Sequence, residues 1–120
     1  MTTHFMKLKN QPFEQIVNGR KIYELRLYDD KRRGVSIGDK IIFKNMQSGG
    51  QCEVKVIDVI TANCFGEIYD SLPLEDLGYD KENIASAAPR DMEQYYSKEE
   101  QAKYGVVAFK IQLLSAMQSN

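Results

Sequence analysis

Two cations and a carboxylate lie close together in the first quarter of the chain, at Lys21, Glu24 and Arg26. The planar guanidinium of an arginine can hold a phosphate or the edge of a base at two points, and a carboxylate accepts hydrogen bonds from amino groups. The same residue types could also catalyse hydrolysis, with Glu24 as a general base and Lys21 stabilising the developing negative charge. The sequence therefore predicts a site for a polar ligand, with binding and hydrolysis as the two open chemistries.

A strand is the element that has to present these side chains. Successive side chains of a strand point to opposite faces, so residues 23–28 separate into two sets. The set predicted to face the core is Tyr23, Leu25 and Leu27. The set predicted to form the site is Glu24, Arg26 and Tyr28. A simpler interpretation competes with this one, namely that the polar set is only the solvated face of a half-buried strand.

A short helix and a tight reversal precede this strand. Apolar residues recur at helical spacing after Pro12, which is tolerated in a first helical turn, so a helix is expected over residues 12–18. Gly19 follows as the left-handed residue that ends the helix. This layout directs Arg20 and Lys21 toward the polar face of the strand.

A run of positive charge follows the strand at Lys31, Arg32 and Arg33. The whole chain has a formal net charge of −1, but residues 1–55 carry a net +5 and residues 56–120 a net −6. Such asymmetry favours a positive surface that meets an anionic partner, although the charges could also mix once the chain folds. The basic run is accordingly predicted to track a phosphate backbone.

Two aromatic residues are adjacent at Tyr95 and Tyr96, where Tyr95 ends a segment that is predicted as a short helix over residues 89–95. Aromatic rings stack on nucleobases with about 1–3 kcal/mol for each base. Tyrosines on short helices also pack in protein cores, and we expect at least one of this pair to do so.

The rest of the chain predicts a small sheet and several short helices. Strands are expected over residues 4–8, 40–44, 52–61 and 104–114, with a hairpin connection at 47–50. Helices are expected over residues 65–72, 80–87 and 89–95, followed by a capping box from Ser97 to Glu100.

These elements predict an α+β fold, a β-barrel of five or six mostly antiparallel strands with most of the helices inserted before the last strand. Residues 1–114 should form a single domain, because 120 residues suffice for only one core. Residues 115–120 are expected to be a frayed tail.

Composition excludes several classes of protein. Hydrophobic residues make up 42% and charged residues 28% of the chain, as in ordinary globular proteins. No apolar run is long enough to span a bilayer and the N-terminus lacks the layout of a signal peptide, so a cytoplasmic location is expected. His4 is the single histidine, and Cys52 and Cys64 form no metal-binding pair, so neither a metal, a cofactor nor a disulfide framework is expected.

The spacing Gly19-x-Lys21-x-x-Glu24-x-Arg26, followed by Arg32-Arg33 and by Gly38-Asp39, resembles the G-x-K-x-x-E-x-R…G-D signature of the ASCH domain family. The resemblance extends from residues 4–8 to residues 104–107. It implies a small barrel related to the PUA fold of RNA-binding proteins. It also implies a cleft between barrel and helices, with residues 19–26 as its floor and residues 88–97 as its opposite wall.

The resemblance favours a module that binds RNA or a nucleotide-like small molecule. The ligand-binding residues expected on this basis are Arg20, Lys21, Glu24, Arg26, Tyr28, Lys31, Arg32, Arg33, Tyr95 and Tyr96. Oligomeric state and ligand identity stay open.

Hydrolysis is the alternative, because some small members of the family resemble amidohydrolases that act on 4-acetylcytidine with a lysine, a threonine and a distant glutamate. Lys21 matches the lysine, Glu24 stands at the position of the threonine, and Glu99 or Glu100 could supply a second carboxylate. In such an enzyme, or in a ribonuclease, Lys21 and Glu24 would be the catalytic residues. A structural or regulatory role ranks third.

Overall fold

The structure is a computed structural model and describes residues 1–117. Its centre is one five-stranded sheet. The strands are β1 (Thr3–Leu8), β2 (Tyr23–Leu27), β3 (Lys40–Asn45), β4 (Gln51–Ala62) and β5 (Val106–Met117). They lie in the order β1-β3-β4-β5-β2; β1 and β3 are parallel and every other pair is antiparallel.

Four α-helices and three 3-10 segments accompany the sheet. The helices are α1 (Asn10–Val17), α2 (Asp30–Arg33), α3 (Phe65–Ser71) and α4 (Lys98–Tyr104). The 3-10 segments are Leu74–Leu77, Ile84–Ser86 and Pro89–Gln94, all between α3 and α4. The α+β class and the insertion of most helices before the last strand are therefore confirmed.

The sheet is open, so the expectation of a closed barrel is not met. Its two edges are β1 and β2, and no backbone ladder joins them in residues 1–117. The two edge strands are connected by a side-chain hydrogen bond instead. Nη2 of Arg26 on β2 donates a 2.8 Å hydrogen bond to the carbonyl oxygen of Lys7 on β1. The edges are thus joined at one point, and polar side chains lie where a barrel would continue its strand pairing.

Both faces of the sheet are covered by apolar cores. On one face Phe13 of α1 packs with Phe43 and Phe109 of the strands. On the other face Phe65 of α3 packs with Leu25 of β2. The three apolar residues of β2 belong to this second core, and its two polar residues are buried as well. The apolar face of this strand is therefore the core face that the alternation predicted, and the interpretation of its polar face as a solvated surface is wrong.

The Gly38-Asp39 pair anchors the start of the chain beside β3. The carboxylate of Asp39 accepts hydrogen bonds from Nε2 of His4 at 2.9 Å, from the backbone N–H of Ser36 at 3.0 Å and from that of Thr2 at 3.2 Å. These donors, the His4 ring first, lower the pKa of Asp39 to about 2. The aspartate therefore holds β1 in register with β3, and β1 in turn supplies one side of the cleft described below.

Two segments differ from expectation in local structure. The segment expected as a helix over residues 80–87 forms only the 3-10 turn Ile84–Ser86, and the segment expected over residues 89–95 is also 3-10. The capping box of α4 is confirmed, since Ser97 and Glu100 exchange hydrogen bonds of 3.0 and 3.1 Å.

The last strand is longer than expected. Its pairing with β4 continues to Met117, which lies opposite Gln51, so residues 115–117 are strand rather than the frayed tail that the sequence suggested. The remaining residues of that expected tail, 118–120, lie outside the described part of the chain. Across residues 1–117, no helix combines the length and the apolar character that crossing a bilayer requires.

Candidate ligand-binding cleft

A cleft of about 410 Å³ opens between the edges of the sheet, α1 and the 3-10 segment Pro89–Gln94. This volume is within the range of small-molecule sites in proteins. Five of the ten residues expected to bind a ligand line it: Lys21, Glu24, Arg26, Tyr95 and Tyr96. The cleft therefore brings together residues 19–26 and the tyrosine pair, which are far apart in sequence.

The floor of the cleft is a charge cluster centred on Glu24. Its Oε2 accepts a 2.8 Å hydrogen bond from Nε of Arg26, and its Oε1 lies 3.6 Å from Nζ of Lys21. All three side chains are at most 10% exposed. The strand geometry produces this cluster, because Glu24 and Arg26 are two residues apart on β2 and so share one face.

Lys21 reaches the cluster through the reversal after α1. Asn18 ends the helix, Gly19 adopts a positive φ of 82°, and Nζ of Lys21 then donates a 2.9 Å hydrogen bond to the carbonyl oxygen of Leu77. Burial lowers the pKa of Lys21, and the nearby carboxylate of Glu24 opposes this effect only in part. Lys21 is consequently a buried amine that gives up its proton more readily than an exposed lysine.

Arg26 stays charged in the same surroundings. Burial would lower its pKa, but the carboxylate of Glu24 and the adjacent Tyr96 outweigh burial and raise it. Its Nε donates to the carboxylate of Glu24 and its Nη2 donates to the carbonyl oxygen of Lys7. The floor therefore presents one permanent cation and one amine of lowered pKa on either side of a carboxylate.

A chain of hydrogen-bonded hydroxyl groups lines the wall, and no sequence pattern predicted it. The hydroxyl of Tyr79 donates to Oδ2 of Asp91 at 2.7 Å and lies 2.7 Å from the hydroxyl of Tyr69. A phenol has only one proton, so Tyr69 must donate to Tyr79. The pKa of both tyrosines is raised, and burial is the largest cause. The chain connects α3 to the Pro89–Gln94 segment, and all three of its residues line the cleft.

Both tyrosines of the pair line the cleft, and Tyr96 also packs against the core. The ring of Tyr96 stacks on Phe65, with centroids 6.0 Å apart and planes at 26°. Tyr95 is 43% exposed, and Nζ of Lys9 lies 4.9 Å from its ring centroid. The expectation that one of the pair packs in the core is confirmed by Tyr96, and Tyr95 is the ring that is open to a ligand at the mouth.

A family model settles which group of proteins this chain resembles. The model of the ASCH domain matches residues 6–115. The chain belongs to the ASCH domain family. The resemblance inferred from the signature residues is thereby confirmed.

Solved structures show the same fold. The hypothetical protein PH0355 is 31% identical with a TM-score of 0.78, over 94% of this chain and 100% of that one. Protein PF0455 from Pyrococcus furiosus is 30% identical with a TM-score of 0.73, over 95% and 99%. The ASCH protein from Zymomonas mobilis has a TM-score of 0.61 over 97% and 73%, and its 12% identity shows a shared fold alone. No curated protein matches the sequence.

The basic run of this ASCH domain lies outside the cleft. Residues 31–33 lie in α2, whose consecutive side chains point about 100° apart because a helix has 3.6 residues per turn. Lys31 donates to the carbonyl oxygen of Phe5 at 2.7 Å, and Arg32 binds the carboxylate of Asp29 at 3.0 Å. The side chains of the run are thus divided among different partners, and none of them lines the cleft.

The two remaining expected residues, Arg20 and Tyr28, also lie outside the cleft. Arg20 is exposed in the turn after α1 and does not line the cleft. Tyr28 and Arg33 contact each other, with the guanidinium carbon of Arg33 4.3 Å from the ring centroid of Tyr28. Both line a second depression on the far side of the Pro89–Gln94 segment.

The groups that could act as nucleophiles or hold a metal are few. No serine, threonine or cysteine lines the cleft, and Glu99 and Glu100 are also absent from its lining. The carboxylate of Glu100 is engaged with the backbone N–H of Ser97 in the capping box. Within residues 1–117, no group of three His, Cys, Asp or Glu side chains could hold a metal ion. The titratable groups that line the cleft are Lys7, Lys9, Lys21, Glu24, Arg26, Asp91 and the tyrosines Tyr69, Tyr79, Tyr95 and Tyr96.

Proposed function

We propose that this ASCH domain binds a nucleotide-like ligand in the cleft, either free or as one unstacked nucleotide of an RNA. The observation that carries the proposal is the position of Glu24 between Lys21 and Arg26 on the floor of a cleft of nucleotide size. The family is commonly linked to RNA binding, which agrees with this function.

Each group on the floor has a role in such binding. Arg26 and Lys21 supply donors for a phosphate or a base carbonyl, and Glu24 can accept a hydrogen bond from an amino group of a base. The exposed ring of Tyr95 provides a surface for stacking at the mouth. The edge of a base presents both hydrogen-bond donors and acceptors. The two cations and the carboxylate on the floor are complementary to such an edge.

Size and charge favour one nucleotide over a long duplex. A cleft of about 410 Å³ encloses a small molecule, and the buried site groups cannot reach the groove of a double helix. The net charge of −1 also disfavours indiscriminate attraction to nucleic acid.

Calorimetric titration with the common ribonucleosides, their monophosphates and short single-stranded RNAs tests the proposal. Lys21→Met should weaken binding about tenfold or more, because a hydrogen bond to a charged group contributes about 1.5–3 kcal/mol. Lys31→Met is the matched control, since Lys31 is exposed and lies outside the cleft. Equal losses in both variants, or no binding by the unmodified protein, would contradict the proposal.

Hydrolysis is a second candidate because of the lowered pKa of Lys21 beside a carboxylate. An acyl-enzyme route lacks a serine, threonine or cysteine in the cleft, so water activated by Glu24 would have to attack directly. Ligand binding requires no nucleophile in the cleft, and we therefore rank it before hydrolysis.

A further inference from the structure

The second depression lies directly behind the wall of the cleft. The 3-10 segment Pro89–Gln94 separates the two, with Asp91 and Met92 lining the cleft and Arg90 and Glu93 lining the depression. A single turn of backbone thus divides the cleft from a wider, open surface. A ligand longer than one nucleotide would cross this wall into the depression.

The charge of the depression differs from that of the whole chain. The charged residues that line it are Arg33, Arg90, Lys98, Lys103, Glu67 and Glu93. Four cations against two carboxylates give it a formal charge of +2, although the chain is at −1. The carboxylate of Glu67 accepts from the N–H of Asn63 at 2.9 Å, and that of Glu93 lies 3.9 Å from Nζ of Lys98. Three of the four cations have no carboxylate partner within residues 1–117.

Arg33 is held in place while its side chain stays accessible. Its guanidinium stacks on Tyr28 and donates a 3.1 Å hydrogen bond to the carbonyl oxygen of Tyr104. Nζ of Lys103 lies 5.1 Å from the ring centroid of Tyr104 in the same depression. Proteins that bind single-stranded nucleic acids combine cations, which attract the phosphates, with aromatic rings, on which the bases stack. The depression contains both kinds of group.

We propose that this depression binds the phosphate backbone of a single-stranded RNA whose neighbouring nucleotide occupies the cleft. The inference rests on the proposed function of the cleft and extends it from a nucleotide to a continuous RNA strand. It also assigns a role to Tyr28 and Arg33, which the cleft does not contain.

Titrations with the four ribonucleoside 5′-monophosphates and with a mixed-sequence single-stranded RNA about ten nucleotides long test this proposal. In the double variant Arg33→Gln, Arg90→Gln, RNA affinity should fall about tenfold and the salt slope by about 1.4, or about 0.7 for each lost phosphate contact. Monophosphate affinity should not change. Lys44→Gln with Lys81→Gln removes the same charge from exposed positions outside both pockets and should leave RNA affinity unaltered.

Cys64 gives a second measurement that needs no variant. It is exposed and lines the depression, whereas Cys52 is buried, so alkylation by iodoacetamide reports on one thiol. Saturating RNA should slow the alkylation of Cys64 several-fold, and monophosphates should leave its rate unchanged. An unchanged rate at saturating RNA would overturn the proposal.

The outcomes separate the two proposals. No monophosphate binding by the unmodified protein would contradict the function of the cleft and with it the continuous RNA path. Bound monophosphates combined with equal RNA affinity in the unmodified protein and the Arg33/Arg90 double variant would contradict the depression alone. Equal losses in the double variant and the Lys44/Lys81 control, or competition by a polyglutamate peptide as effective as that by RNA, would also overturn it.

Discussion

Arg26 and Lys7 are 19 residues apart in sequence, yet a 2.8 Å hydrogen bond from the Arg26 guanidinium to the Lys7 carbonyl joins the two edge strands of the sheet. The same guanidinium holds Glu24 in place on the floor of the cleft. One side chain thus connects the architecture of the sheet to the geometry of the site, and changes at Arg26 should affect both.

Replacing Arg26 by methionine should strongly destabilise the fold. The variant removes one partner of a buried ion pair and leaves the Glu24 carboxylate and the Lys7 carbonyl without their donor. Breaking a buried pair in this way costs about 3–5 kcal/mol in the free energy of unfolding. Urea denaturation followed by circular dichroism measures the loss.

Arg20→Gln is the control for this substitution, because Arg20 is exposed and should change stability by no more than about 0.5 kcal/mol. If Arg26→Met unfolds at the same urea concentration as Arg20→Gln, the hydrogen bond between the edge strands does not contribute to the free energy of unfolding.

The amine of Lys21 should titrate below the ordinary lysine value of 10.5. Burial lowers its pKa and Glu24 raises it, so removing the carboxylate in Glu24→Gln should lower that pKa further. NMR titration of the Lys21 side chain in both proteins measures the two values. A pKa at or above 10.5 in the unmodified protein, or a higher pKa in the variant, would show that the amine is not in the buried cluster described here.

Asp39 should make stability depend on acid pH. Its pKa in the folded state is about 2, below the ordinary value of 3.8, because His4, Ser36 and Thr2 donate to the carboxylate. A lowered pKa means that the contribution of Asp39 is complete above pH 3.8 and is lost as the pH falls toward 2. Thermal melts between pH 5 and pH 2 should therefore show a decline that is smaller in Asp39→Asn. Parallel curves for the two proteins would contradict this role.

Sequence patterns predicted the parts of the site that depend on local geometry. Alternation along β2 placed Leu25 in the core and Glu24 beside Arg26, and the end of α1 explained the direction of Lys21. These features follow from backbone periods of 2 and 3.6 residues, which the sequence displays directly.

The contacts that the sequence did not reveal are long-range ones. Tyr79 lies in an irregular connection and Asp91 lies in the 3-10 segment Pro89–Gln94, so no shared periodicity indicates that they meet. The basic run is a second case in which adjacency in sequence does not give adjacency in space. Its charges are adjacent in sequence, but the four-residue helix α2 directs Lys31 and Arg33 to different parts of the surface.

The unmodified protein should not release cytidine from 4-acetylcytidine. Acyl transfer needs a nucleophile, and the cleft lining contains no serine, threonine or cysteine. Glu24→Thr, which introduces a hydroxyl, should bind ligand more weakly because Arg26 loses its carboxylate partner, and it should also form no product. Liquid chromatography of the reaction measures cytidine directly. Steady release by the unmodified protein that is lost in Lys21→Ala would instead make Glu24 a catalytic base.

A chemical-shift map of the bound ligand tests the central claim most directly, because it locates the binding site without assuming it. Amide and side-chain spectra should be recorded while the ribonucleotide that binds best in calorimetry is added. We expect the largest shifts at Lys21, Glu24, Arg26 and Tyr95, and we expect them to disappear in Lys21→Met but to persist in Lys31→Met. Shifts centred elsewhere on the domain, with residues 21–26 unperturbed, would contradict the assignment of the cleft as the ligand site.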